Sequence, residues 1–320
     1  MGEGIIVFSV DLELSWGLAR AEHAASRRLM SRLGGSGEVL AEFLGLLDRL
    51  GLPVTWAIVA ATLTDPRDSV RLAILEQALE RGAEVCGSGE EGVCIRDAFH
   101  HRDAGSDQMG SGWLNPALAS QISEAATGHE LACHSFCHLD FSRPTVTRQA
   151  ASTELDLCLE AFSAAGHRRP VSFVFPWNRV AHLDLLAEKG FLAYRAPAAR
   201  RNLARFGLGY LLDPESNVSR VGAQPTQGGH PLMGIPGTVP ISWAVSQTRT
   251  RMKAKLALKS LERGGGGLVH FYTHSHDIVH ESSRKTLETI LRTAREACRR
   301  EQVRVMTMRQ VAEEELAERK

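Results

Sequence analysis

Two carboxylates stand two residues apart in Val10-Asp11-Leu12-Glu13, at the end of the apolar run Ile5 to Val10. If extended backbone continues through them, both side chains leave one face of a strand. Paired acids beside apolar neighbours repel each other and lose hydration, so the pattern calls for a cation or a shared proton. Much later, GHELACHSFCHLDFS (Gly128 to Ser142) sets His134 and His138 four residues apart, where a short apolar segment gives way to polar residues. A helical turn after that segment would let both imidazoles converge, and neutral imidazole is a common zinc ligand. With one carboxylate from the first run they make a set of two histidines and one acid. Such a set leaves positions open to water, as catalytic rather than structural zinc sites do.

Two more segments end in reactive groups. VSFVFPWNRV closes on Pro176, Trp177, Asn178 and Arg179, and LVHFYTHSHD carries His270, His274, His276 and Asp277. By strand alternation the three histidines share a side, so His274 or His276 is placed to act as an acid. Each feature alone has an ordinary explanation: a solvated histidine face, a loop cap at Asp11, a packing tryptophan. Their coincidence at the ends of several strand-like runs is what points to one site.

The elements that must position these groups alternate. Short runs at Ile5 to Val10, which is β-branched, and at Pro53 to Ala60, AEVCG, HELACHSF, Val171 to Pro176, FLAYRAP, LVHFYTH and VRVMTM are strand candidates. Between them, helical spacing marks Ser36 to Leu52, with Ser36 as N-cap and Gly51 as stop. Further helices are predicted at about 68–81, about 148–165, HLDLLAEKG, a segment ending in four glycines, and about 282–300. Such alternation predicts right-handed βαβ crossovers and a closed or nearly closed parallel barrel, whose active groups lie where strands end. Two stretches break the rhythm, Gly87 to Ser111 and Asp213 to Gln247, and are expected as loops shaping the barrel mouth. The whole chain, 1–320, is expected to be a single domain.

Composition narrows the function classes. Lys+Arg and Asp+Glu are both 37, which gives no single-sign field for nucleic acid or an anionic membrane. No segment approaches the roughly 20 apolar residues of a membrane span, and the N-terminus lacks a signal-peptide pattern, so a cytoplasmic protein is expected. The six cysteines form no CxxC pair and are expected as reduced thiols. Cys133 and Cys137 flank the histidine pair, but no second Cys or His pair completes a structural zinc knot nearby.

At these residues the chain resembles the polysaccharide deacetylase family of the NodB homology fold, carbohydrate esterases that are metal-dependent hydrolases on a distorted β/α barrel. The resemblance covers most of the chain. It rests on Val10-Asp11-Leu12-Glu13, on His134-Ser135-Phe136-Cys137-His138 against the pattern H-[ST]-x-x-H, and on YTHSHD. It looks closest to the branch whose two acids are separated by one residue, which includes enzymes of N-acylated sugars and some of ureides. It implies a distorted (β/α)7-type barrel, Asp11 as general base, and Glu13, His134 and His138 as ligands of Zn2+ or another divalent ion such as Co2+ or Ni2+. It also implies His274 as the acid, with Trp177, Asn178, Arg179 and His276 lining the substrate and oxyanion positions.

Two departures accompany it. Glu13 stands where relatives more often carry Asp, so Asp11 and Glu13 could exchange roles. Trp177 stands where related proteins tend to show an arginine that orients the catalytic acid. Either Arg179, two residues on, substitutes for it, or Trp177 instead forms a hydrophobic wall for the acyl methyl. The implied activity is removal of an N-acetyl group from an amino sugar, whether free, nucleotide- or lipid-linked, or in a natural product. Another amide or a cyclic ureide, as in an allantoinase, is the alternative substrate. Because of the displaced arginine, a metal-free sugar-binding pseudoenzyme is the alternative of another class. The sequence does not specify an oligomeric state.

Overall fold

The N-terminal apolar run becomes a nine-residue strand, β1 (Gly4–Leu12), with neighbours on both sides in a mainly parallel sheet. The computed structural model describes residues 3–19, 37–86, 95–100, 112–198, 218–224, 231–262, 266–300 and 303–319. One flank of β1 continues through β2 (Thr55–Ile58), β3 (Glu130–Cys133), β4 (Ser172–Phe173) and β5 (Ala193–Pro197). The antiparallel β6 (Gly222–Gln224) pairs with β7 (Leu232–Gly237), which runs into β8 (Val239–Pro240). On the other flank lies β9 (Leu268–His274), and β10 (Val303–Met306) pairs with the foot of β1.

The run from β7 into β8 curls the sheet into a distorted barrel. Met233–Gly237 pair with β5, while Val239 and Pro240 pair with Phe271 and Tyr272 of β9. The ring is therefore β1, β2, β3, β4, β5, β7 with β8, and β9, all in parallel register.

Helices cover the outside. They are α1 (Gly37–Leu50), α2 (Ser69–Cys86), α3 (Ile95–His100), α4 (Pro116–Glu124), α5 (Arg148–Ala164), α6 (Leu183–Glu188), α7 (Gln247–Glu262), α8 (Ser275–Val279), α9 (Glu281–Arg299) and α10 (Met308–Glu318). Helix α1 buries Leu40, Phe43, Leu44, Leu46 and Leu47 on one stripe, and Gly51 at φ 60° follows its last residue. The outer faces of the strands, with Phe8, Val10, Trp56, Phe173 and Phe271, meet these helices in one large apolar layer.

The inner faces read differently. Val7, Ala57, Ala132, Val174 and Ala193 fill the barrel with small side chains, and Met233, Met306 and Met308 join that cluster. Two residues further along the same inward faces the chain turns polar. Ser9 and Asp11 follow Val7, Arg195 follows Ala193, and Tyr272 and His274 follow His270.

Two expectations are corrected. Ala83 to Cys86, expected as a strand, is the last turn of α2, which runs on through Gly82. The described part of Asp213 to Gln247 is no plain loop, since it supplies β6, β7 and β8. Its glycines serve close packing: a Cβ at Gly237 would meet Arg195 Cδ at 3.2 Å and Tyr272 Cδ1 at 3.3 Å. Within Gly87 to Ser111 only α3 is described, and Ser36, the expected cap of α1, lies outside the described residues. Cys133, Cys137 and Cys158 are buried free thiols, as Cys298 is at partial burial. Among the described residues no helix is long and apolar enough to cross a membrane.

Candidate metal centre and its acid–base wall

Glu13 lies just past β1, where Leu14 takes φ 45° and donates its N–H to Ser275 Oγ at 3.0 Å. Space for its carboxylate depends on Gly17, where a Cβ would stand 2.0 Å from Glu13 Cδ. His134 follows β3 directly. The expected helical turn after it is absent; a tight loop with Ser135 at φ 69° and His138 at φ 60° brings the two rings together instead. Buried Glu154 of α5 holds that loop, accepting from Ser135 Oγ at 2.5 Å, Phe136 N at 3.0 Å and Cys137 N at 2.9 Å. Three donors on one carboxylate oxygen offset the cost of the two left-handed residues.

The resulting cluster is dry and convergent. His134 Nε2 and His138 Nε2 lie 3.4 and 3.0 Å from Glu13 Oε2. His134 Nδ1 is 2.8 Å from the Val174 carbonyl, a contact that fixes the ring with Nε2 toward the Glu13 carboxylate. Both Nε2 atoms are buried, and neither makes a hydrogen bond of proper alignment. Burial pushes the His138 imidazolium down, favouring the neutral ring despite Glu13. A donor atom from each of Glu13, His134 and His138 lies within 4.8 Å of the others. Two imidazole nitrogens and a carboxylate oxygen without other partners fit a divalent cation.

The opposite wall is built on hydrogen-bonded charge pairs, while the buried His276 Nδ1 has no hydrogen-bond partner. Asp11 is 1% exposed and is gripped by Arg195 of β5, Nη1 to Oδ1 and Nη2 to Oδ2, both at 2.6 Å. The same guanidinium gives Nε to Asn178 Oδ1 at 2.8 Å, reaches Ser9 Oγ at 3.3 Å and sits 4.6 Å above the Tyr272 ring. Ser9 Oγ in turn meets His270 Nε2 at 2.8 Å. His274 Nε2 stands 3.6 Å from Asp11 Oδ2, and its Nδ1 is 2.9 Å from Asp277 Oδ2. Asp277 Oδ1 accepts from Trp243 N at 2.7 Å. His276, on α8, stacks against His274 at 4.8 Å between centroids and brings Nδ1 to 3.4 Å from Glu13 Oε1.

Electrostatics separates the groups. Burial alone would lift the Asp11 carboxyl, but the Arg195 charge outweighs it and holds the group below its ordinary range. Burial works the same way on Glu13, and the His274 charge with the His134 and His138 contacts holds it well below. For His274 burial opposes the charge, yet Glu13, the Asp277 hydrogen bond and Asp11 push it up to about 10. His276 goes down, first through burial and then through the His274 charge. His270, sealed inside the barrel and facing Arg195, is pushed down to about 3.

The third segment departs from its expected role. Trp177 and Asn178 take φ 54° and 56° and reverse the chain, which sends Arg179 outward to Asp140 Oδ2 at 2.6 Å. Arg179 therefore does not orient Asp11; Arg195 does. Asn178 is tied up on both sides, its N–H on Phe175 O at 2.9 Å and its Oδ1 on Arg195, so it supports the arginine rather than an oxyanion. Trp177 lies 4.3 Å from the His138 ring, 39% exposed, at the edge of the cluster. Sequence reasoning missed Arg195 and the Asp277 support of His274. The available signal was a lone cation on the inward face of the otherwise uncharged AYRAP strand, which needs a buried acid as partner.

Comparison with solved structures matches this arrangement of strands. A Mycobacterium smegmatis protein assigned as a polysaccharide deacetylase superposes with a TM-score of 0.63 at 16% identity, over 100% of this chain and 92% of that one. The fold is that of the NodB-type polysaccharide deacetylases. A Pseudomonas aeruginosa PAO1 protein of the same assignment gives 0.59 at 12% identity, over 97% of this chain and 89% of the other. Puue allantoinase gives 0.59 at 13% identity with the same coverage, 97% and 89%. No protein-family profile matches the sequence, and no curated protein matches it.

Proposed function

We propose that this NodB-fold protein is a metal-dependent amide hydrolase that removes the acetyl group from an N-acetylated amino sugar. The observation that carries the reading is the meeting of two walls. His134 Nε2 and His138 Nε2 are buried nitrogens without aligned hydrogen bonds, 3.4 and 3.0 Å from the Glu13 carboxylate, beside Asp11 paired with Arg195 and His274 paired with Asp277. In this reading Glu13, His134 and His138 hold the cation, Zn2+ or Co2+ or Ni2+. A divalent ion held there supplies Lewis acidity toward the acyl carbonyl and toward water.

The chain's own residues do the rest. Asp11 accepts the proton of the attacking water. The two-pronged Arg195 grip fixes which way its carboxylate faces and keeps it ionised between substrates. Asp11 and Glu13 do not exchange roles here, because only Glu13 touches the histidine pair while Asp11 is committed to Arg195. His274 carries a proton for the departing amine, and Asp277 fixes its ring by holding Nδ1. Trp177, partly exposed beside His138, walls the acyl methyl. Arg195 also supplies the charge whose displacement from the third segment suggested a non-catalytic sugar binder.

The test is release of acetate from a panel of N-acetylhexosamines by protein loaded with zinc, cobalt or nickel, set beside ring opening of cyclic ureides. Acetate release that depends on added metal is the expected result. Ureide opening without acetate release would change the substrate class, and a folded protein inert to both with every metal would overturn the reading.

A further inference from the structure

Glu13 faces two sets of histidines with two different oxygens. Oε2 is 3.4 Å from His134 Nε2 and 3.0 Å from His138 Nε2, while Oε1 is 3.4 Å from His276 Nδ1. Around a tetrahedral cation with bonds of about 2.0 to 2.2 Å, donor atoms stand roughly 3.3 to 3.6 Å apart. Both sides of the carboxylate show such a spacing. His276 Nδ1 is buried and has no hydrogen-bond partner, on a residue only 7% exposed. His274 completes the second group: a donor atom from each of Glu13, His274 and His276 lies within 4.8 Å of the others. Its ring is already supported as metal-binding histidines are, with Nδ1 on the Asp277 carboxylate at 2.9 Å and Nε2 3.6 Å from Asp11 Oδ2.

We propose that Glu13 is a bridging carboxylate and that Glu13, His274 and His276 form a second divalent-cation site beside the first. The proposal rests on the Glu13, His134 and His138 reading, since it shares Glu13 with it. The second site is the weaker, because His274 is also drawn to Asp11, 3.6 Å away, and stacks flat on His276 at 9° rather than converging with it on a point. Its occupation takes the His274 nitrogen that otherwise carries the proton for the leaving amine. One cation per chain therefore activates, and a second inhibits.

Titration of the metal-free full-length protein with Co2+ tests this, followed by the visible absorption of cobalt and by direct counting of bound metal. Wild type should take two ions in two steps, with hydrolysis rising on the first and falling on the second. His276→Gln should stop at one ion, still tightly bound, and His138→Ala should lose the tight step. Wild type saturating at one ion, or His276→Gln still taking two, would overturn the second site. Absence of any bound ion in wild type would bring down the first site, and the second with it. If His276→Gln does not fold, wild type carrying two Mn2+ decides the matter: a carboxylate-bridged pair gives an exchange-coupled electron paramagnetic resonance spectrum, and two uncoupled ions would refute the bridge.

Discussion

The two walls of the site handle buried charge in opposite ways. On the wall built from the ends of β1 and β3, Glu13 meets two imidazole nitrogens that have no aligned hydrogen bond. On the wall where β1 meets β5 and β9, Asp11 has Arg195 as its counterpart and His274 has Asp277. A buried polar group left unpaired is costly, so the first wall needs a ligand from outside the chain. On the second wall the Asp11–Arg195 and His274–Asp277 pairs satisfy each other, and such pairing orients its members. The difference teaches where selection for binding and selection for positioning act within a few ångströms.

The comparison can be broken by removing groups from either wall. His134→Ala or His138→Ala is expected to abolish metal retention and turnover together, a loss of at least about 10⁴-fold in kcat/KM if the cation supplies several kcal/mol of transition-state stabilisation. Metal counting beside kinetics checks this, and retained metal with normal turnover would remove the first wall's role. Arg195→Met should destabilise the fold by about 3–5 kcal/mol, because it strands the Asp11 carboxylate in the barrel interior. Urea melts of that variant next to Asp11→Asn with Arg195→Met show whether the stranded charge is the cause; the double variant should recover part of the loss. His274→Ala should keep the cation at the first site while kcat falls about 10²- to 10⁴-fold. An unchanged kcat would pass the acid role to His276.

Stability against pH sharpens the contrast. His270 has a folded value near 3, below its ordinary 6.5, so the unfolded chain binds a proton there that the native barrel excludes. Stability is then fully present above about pH 6.5 and is lost as pH falls from there toward 3. His270→Gln should flatten that slope in melts recorded across this range, and an unaltered slope would locate the acid sensitivity elsewhere. The smallest effect belongs to Arg179→Ala. Its pair with Asp140 is exposed on the arginine side, so a change within about 1 kcal/mol and near-normal kcat are expected. A loss as large as that of Arg195→Met would contradict the assignment of the arginine role.

Much of this was legible before any coordinates. Strand endings at Asp11, His134 and His274 follow from short apolar runs that stop at polar residues, a signal confined to a few neighbouring positions. The barrel followed from alternation, although AEVCG read as a strand because five residues are too few to separate a helical turn from β structure. The segment 213–247 read as loop because its Gly and Pro content hides strands whose side chains are small by necessity of packing. Arg195 was visible as a residue and invisible as a partner.

From the sequence alone come the reactive groups themselves and the end of the barrel they share, with period-two alternation fixing the strand face only for Asp11 and His274, since Glu13, His134, His138 and His276 lie beyond the strand ends. Only the folded chain decided which acid meets which base. The Arg195 to Asp11 contact joins residues 184 positions apart, and Glu13 divides its oxygens between β3 and α8. The reason is that charges pair through space, across a barrel whose closure depends on the run from β7 into β8, and no local pattern encodes that distance.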